Sequence, residues 1–164
     1  MSFDPIRRAA DLWERRWGRR SAPQAMASAT SVMRVQQLLL AQFDAALADL
    51  GLTFARFEAL VLLTFSREDR LPMRVVGERL MIHATSATHI VQRLEAQGLV
   101  QRVPNPDDGR GVVVRLTEAG RAAVQAALSE LLAFERSVLA AISPDERAQL
   151  AALLRRLLAP FERD

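Results

Sequence analysis

The sequence predicts a mainly α-helical fold broken once by a β-hairpin, and three observations predict it. Apolar residues recur at three- and four-residue spacing through most of the 164 positions. Between Leu99 and Leu116 that rhythm gives way to β-branched runs flanking the turn-rich segment Pro104-Asn-Pro-Asp-Asp-Gly-Arg110. Residues that start helices, among them Thr53, Thr117 and Ser143, stand where the periodic stretches begin.

Taken in order, residues 4–17 form a short helix rich in Arg, Ala and Trp, broken after Gly18 by Ser21, Ala22 and Pro23. A long helix over 24–50 carries Met33, Leu38, Leu39, Phe43, Leu47 and Leu50, and Gly51 suits its C-terminal cap. Thr53 N-caps a helix over 54–66 whose apolar positions are Phe57, Leu60, Val61 and Leu63. The charged segment 67–71 reads as a loop, and Pro72 starts a short helix over 73–80. A turn at 81–84 leads to a helix over 85–97, which Gly98 ends. Residues 99–103 and 112–116 are the strands of the hairpin. Thr117 caps a long helix reaching 141, and Ser143-Pro144-Asp145-Glu146 is a capping box with Pro at the first helical position, opening a last helix over 144–160.

Composition narrows the classes. Half of the residues are hydrophobic, enough for a real core, but no apolar run is long enough to span a membrane. The N-terminal stretch carries Asp4 and Asp11 and has no apolar leader, so a cytoplasmic location is expected. Without cysteine there are no disulfides, thiolate chemistry or thiolate metal sites. The net charge is +3, and every basic residue is Arg. The pI near 11.0 therefore reflects guanidinium chemistry more than excess charge. Enzyme motifs are missing: there is no Gly-rich phosphate loop, no G-x-S-x-G and no H-E-x-x-H. No catalytic residue, cofactor or metal is expected. His83 and His89 lack the further ligands that zinc needs, which leaves DNA contact or helix capping as their roles.

Residues 53–116 carry the functional signal. Two short helices joined by a tight turn make a helix-turn-helix, and the hairpin behind it makes a wing. The second helix opens with His83-Ala84-Thr85-Ser86-Ala87-Thr88-His89, small polar residues that allow close approach to base edges and phosphates. The expected DNA-contacting residues are Thr85, Ser86, Thr88, His89, Arg102, Asp108 and Arg110, with Arg110 near the wing tip. The chain is thus expected to divide into N-terminal dimerisation helices (1–52), a winged helix-turn-helix (53–116) and C-terminal dimerisation helices (117–164). The terminal helices bear apolar stripes that a two-fold partner would cover, so a homodimer on double-stranded DNA is expected. A helical adaptor without DNA binding is the alternative; the wing argues against it.

Three pieces together resemble the MarR family of bacterial regulators: Arg93-Leu94-Glu95 with Gly98-Leu99-Val100, Asp108 with Arg110, and Leu116-Thr117 with Gly120. The resemblance covers about residues 24–160. It implies a dimeric transcriptional regulator on a pseudo-palindromic operator, a repressor released when a small molecule binds. The chain departs from the family pattern at Gly109, where a second wing-tip Arg is usual, and at His89, where the family often has Arg.

Trp13 and Trp17 lie four apart on one face of the first helix. They are read either as a packing stripe or as one wall of a ligand pocket. The opening from Asp4 to Trp13 resembles the urate-responsive, PecS-like branch of the family, which has an added N-terminal helix. That resemblance implies a pocket in which Trp13 and Trp17 join Glu58 and Arg93 around a small aromatic or purine-like anion. The N-terminal arginines Arg7, Arg8, Arg15, Arg16, Arg19 and Arg20 read equally well as a solvated face or a phosphate-facing one.

Overall fold

In the computed structural model, which describes residues 4–105 and 111–161, Asp4 opens the first helix by accepting hydrogen bonds from the backbone N–H groups of Ile6 and Arg7, each at 3.0 Å. The helix, α1, runs Pro5–Trp17 with Pro at its first position. Gly18 (φ +77°) ends it, and a 3-10 turn over Arg19–Ser21 leads to the long helix α2, Pro23–Leu47. The chain divides into two compact units, one ending at Ala45 and the other starting at Ala46. In the first, the Trp13 indole N–H donates to the Ser21 carbonyl at 3.2 Å and fastens the turn to α1.

The second unit begins where Leu47 is fully buried. A 3-10 turn over Ala48–Leu50 replaces the last helical turn expected there, and Gly51 (φ +67°) closes it. Helix α3 spans Phe54–Thr64, N-capped by Thr53, and buries Phe57, Ala59, Leu60 and Leu63. Helices α4 (Met73–Arg79) and α5 (Ala84–Ala96) follow, then strands β2 (Val100–Pro104) and β3 (Val112–Leu116), and helices α6 (Glu118–Leu139) and α7 (Pro144–Leu158).

The segment expected as a plain loop does more than connect. Arg70–Pro72 forms a short strand, β1, and the antiparallel sheet has the order β1-β3-β2, with Leu71 opposite Val114 and Val103 opposite Val113. Three residues are too few to show a period of two, so nothing in the local pattern marks the strand; β3 supplies the reason for it. Pro72 ends that strand and stands immediately before α4, not inside it.

The core of this unit is aliphatic. Leu60, Leu63, Val76, Val91, Leu94, Val100, Val114 and Leu116 are nearly inaccessible, and no polar or charged side chain is buried among the described residues. Each such side chain stabilises the fold by about 1.5–3 kcal/mol relative to exposure. By contrast, α7 buries no residue, and Leu153 (55%), Leu157 (59%) and Phe161 (80%) stand in solvent.

One close approach fixes how α6 leaves the sheet. A Cβ built at Gly120 would lie 2.2 Å from the Leu99 carbonyl oxygen and 2.7 Å from a Leu116 methyl. Alanine is ordinarily the better helix residue by about 1 kcal/mol, but here the backbone carbonyl leaves no room for it. We expect Gly120→Ala to destabilise the unit by about 1–3 kcal/mol, seen as a lower urea midpoint. A midpoint unchanged or raised would contradict this packing.

Candidate nucleic-acid interface

The pair α4 and α5 is held at close range. Gly77 on α4 faces Ala87 on α5, and a Cβ at Gly77 would sit 3.4 Å from the Ala87 Cβ. The turn between the helices is a Schellman-type cap: Ile82 N–H donates to the Gly77 carbonyl and Met81 N–H to the Glu78 carbonyl, each at 3.1 Å. Met81 takes the left-handed position (φ +54°) that glycine usually fills. His83 N-caps α5, its Nδ1 accepting from the Thr85 N–H at 3.3 Å. Ala87, Val91 and Leu94 form the buried stripe of α5, which turns the opposite face outward.

That outward face carries the residues expected from the sequence. Thr85, Ser86, Thr88 and His89 are all exposed. The Thr88 hydroxyl donates back to the Ala84 carbonyl at 2.9 Å. Thr85, Ser86 and His89 have no side-chain partner among the described residues apart from solvent. Small hydroxyl residues on a rigid helix can reach into a groove without first breaking internal bonds.

Arg102 is held differently. Its backbone N–H donates to Glu95 Oε1 at 3.0 Å, and its guanidinium Nε donates to Glu95 Oε2 at 2.7 Å. The side chain thus ties β2 to the last turn of α5, and Glu95 offsets its charge. Asp108 and Arg110 lie outside the described residues. On the far side of the hairpin, the Thr117 hydroxyl lies 2.8 Å from the Gly98 carbonyl and 2.9 Å from that of Leu99, and it accepts from Gly120 N–H at 3.0 Å. These contacts give the Leu-Thr-x-x-Gly pattern its physical content: they fasten the end of the outward helix to the start of α6.

The residues expected around a ligand fall in different units. Trp13 and Trp17 are both on α1, with ring centroids 4.5 Å apart and planes tilted by 54°. Trp13 is part-buried through its bond to Ser21, whereas Trp17 is exposed and has the Arg16 guanidinium 6.0 Å from its ring centre. Glu58 stands at an exposed position on α3, where desolvation raises its carboxyl above the ordinary value. Arg93 lines an open cleft of about 430 Å³ together with Thr53, Arg56, His89 and Ile90; Glu58 is not among its walls. The sequence reading missed Arg56. Its only local signal was its place in the first turn after the Thr53 cap.

Comparison with known proteins follows from this geometry. A model of the MarR family matches residues 50–111. Among solved structures, Sco5413, a MarR family transcriptional regulator from Streptomyces coelicolor, is 45% identical, with a TM-score of 0.77, over 86% of this chain and 99% of that one. Sco3205, a MarR family transcriptional regulator from the same organism solved in complex with DNA, is 26% identical with a TM-score of 0.78, over 85% of this chain and 88% of that one. The regulator PecS of Dickeya dadantii is 35% identical over 86 residues, 52% of this chain and 51% of its own length. The chain spans only 51% to 64% of the length of the first curated relatives it matches.

The Glu95–Arg102 tie has a pH signature. The Glu95 carboxyl is held below its ordinary value of 4.5, chiefly because it accepts from the Arg102 backbone N–H and then from the guanidinium, with desolvation opposing them. A carboxylate depressed in the folded state stabilises it above the unfolded value, and that contribution is lost as pH falls through the lower folded value. We expect the Glu95 carboxyl resonance to titrate below 4.5, and Glu95→Gln to abolish the matching pH dependence of the Arg102 amide shift. Titration at or above the ordinary value would remove this tie from the description.

Proposed function

The chain belongs to the MarR family of transcriptional regulators, and from that premise we propose that it is a sequence-specific DNA-binding regulator that acts as a cytoplasmic homodimer and represses until a small molecule releases it. The observation that carries the reading is the outward face of α5, which presents Thr85, Ser86 and His89 on a tightly packed helix-turn-helix. A related protein solved with DNA supports it. In this reading α5 enters the major groove, Thr85, Ser86, Thr88 and His89 choose bases or flank them, and Arg110 at the wing tip reaches the backbone. Arg102 and Asp108 serve the wing. The exposed leucines of α7 become the partner-facing surface, since a stripe of that extent is costly to leave in water.

Selection from random duplexes should enrich a site with two half-sites about 10 bp apart. It should be bound by a species of twice the 18.2 kDa chain mass in sedimentation. Ser86→Ala with His89→Ala should change which duplexes are chosen, and Leu153→Glu with Leu157→Glu should give monomers that bind DNA weakly. Failure to enrich any duplex would leave the helical adaptor as the function.

The effector we propose is a flat aromatic or purine-like anion. Trp17 offers an exposed ring with a guanidinium beside it, the chemistry such a ligand uses. Glu58 and Arg93 are its proposed polar partners. A useful switch requires the ligand to prefer the DNA-incompetent state by a few kcal/mol, roughly a hundredfold in affinity or more. Titration with urate, xanthine and benzoate should quench tryptophan emission and weaken operator binding together. No quenching and no release at millimolar concentrations would return both tryptophans to packing alone.

A further inference from the structure

The cleft between the start of α3 and the middle of α5 has a charge arrangement unlike the rest of the unit. Elsewhere the arginines meet carboxylates: Arg70 with Glu68, Arg74 with Glu78, Arg102 with Glu95, and Arg121 with Asp69 and Glu118. In the cleft, Arg56 and Arg93 stand with His89, Ile90 and Thr53, and no carboxylate lines the walls. Arg56 is also held in place. Its Nη1 donates to the Gly51 carbonyl at 2.9 Å and its Nε to the Thr53 hydroxyl at 3.2 Å. Gln97 shares that anchor, donating to the same Gly51 carbonyl at 2.9 Å. These acceptors are neutral, so they fix the guanidinium without cancelling its charge. Arg93 has no hydrogen-bond or ion-pair partner among the described residues. Two guanidinium groups, one fixed and one free to adapt, frame a cleft of about 430 Å³.

We infer that this cleft seats an anionic oxygen group, a phosphate or a carboxylate held by Arg56 and Arg93 with His89 at its edge. The inference rests on the DNA-binding reading for one of its two sources. His89 is one helical turn beyond Thr85 on α5, so the cleft flanks the face proposed to enter the groove. A backbone phosphate bordering that groove is the first source; free phosphate or a small carboxylate from solution is the second. A phosphate held there sets the register of α5 and carries no base preference.

The test uses the full chain and the duplex obtained by selection. Arg93→Gln should weaken the selected duplex and an unrelated one by the same factor. It should also reduce the slope of log affinity against log salt by about 0.9 for each protomer's contact. Arg93→Lys should restore most of the slope, and an unchanged thermal midpoint excludes misfolding. In parallel, inorganic phosphate and acetate are titrated at constant ionic strength while the His89 and Ile90 amide resonances are followed. Shifts in the parent protein that vanish in Arg93→Gln identify free anions as a source, even if no duplex is ever enriched. If the parent selects DNA but Arg93→Gln keeps its salt slope and neither anion shifts those resonances, the cleft is merely solvated and the DNA reading survives without it. A change in base preference on Arg93→Gln would also overturn the assignment.

Discussion

The Leu99 carbonyl and the α-carbon of Gly120 approach so closely that no side chain fits between them, and the Thr117 hydroxyl and N–H both turn toward the same carbonyl. This one contact joins three elements. It receives the end of α5 through Gly98, bounds the hairpin, and starts α6. Because the joint is made of backbone and one short side chain, it has little freedom to absorb movement. A change in the direction of α6 is therefore passed to α5 rather than lost at the junction. Arg121 adds a second tie one turn along α6, pairing with Asp69 beside β1 and with Glu118. The outward helix is thus fixed at its end by Thr117 and Gly120, and along its length by Ala87 against Gly77.

Much of this was legible in the sequence because it depends on local chemistry. Thr53, Thr117 and Ser143 cap helices as expected, the last with its full reciprocal box. Gly51 and Gly98 take positive φ at the ends where they were read as stops. The stripe Ala87, Val91 and Leu94 follows from helical spacing alone. The features that escaped depend on partners distant in sequence. Strand β1 exists only because β3 comes to lie beside it. The pairing of Arg102 with Glu95 spans seven residues and crosses from strand to helix, so no single period reveals it. Arg56 shares the Gly51 carbonyl with Gln97, a residue far along the chain that reaches it only once α5 is packed. Met81 escaped for the opposite reason: the residue type there is not one that usually takes the conformation the turn requires.

Charge in the second unit is arranged more than it is accumulated. Most of its paired arginines hold elements together, and their pairs are exposed, so each contributes little to stability on its own. Their value is geometric, since a guanidinium presents fixed donors that set the angle of what it binds. Every basic side chain is Arg, so this geometry holds across the whole range of pH in which the protein folds.

The order of the sheet has a kinetic consequence. Because β3 lies between β1 and β2, the pairing of Arg70 with Arg115 closes a long loop containing α4, α5 and the hairpin. Until that loop closes, the two helices have no sheet to rest on. The closure carries an entropic cost that local hairpin contacts alone do not offset. Folding of the unit must therefore wait for the residues of β3 to leave the ribosome. A chain arrested before them holds the helix pair's sequence without the frame that orients it, and from β3 onward the helix pair and its sheet assemble as one cooperative step.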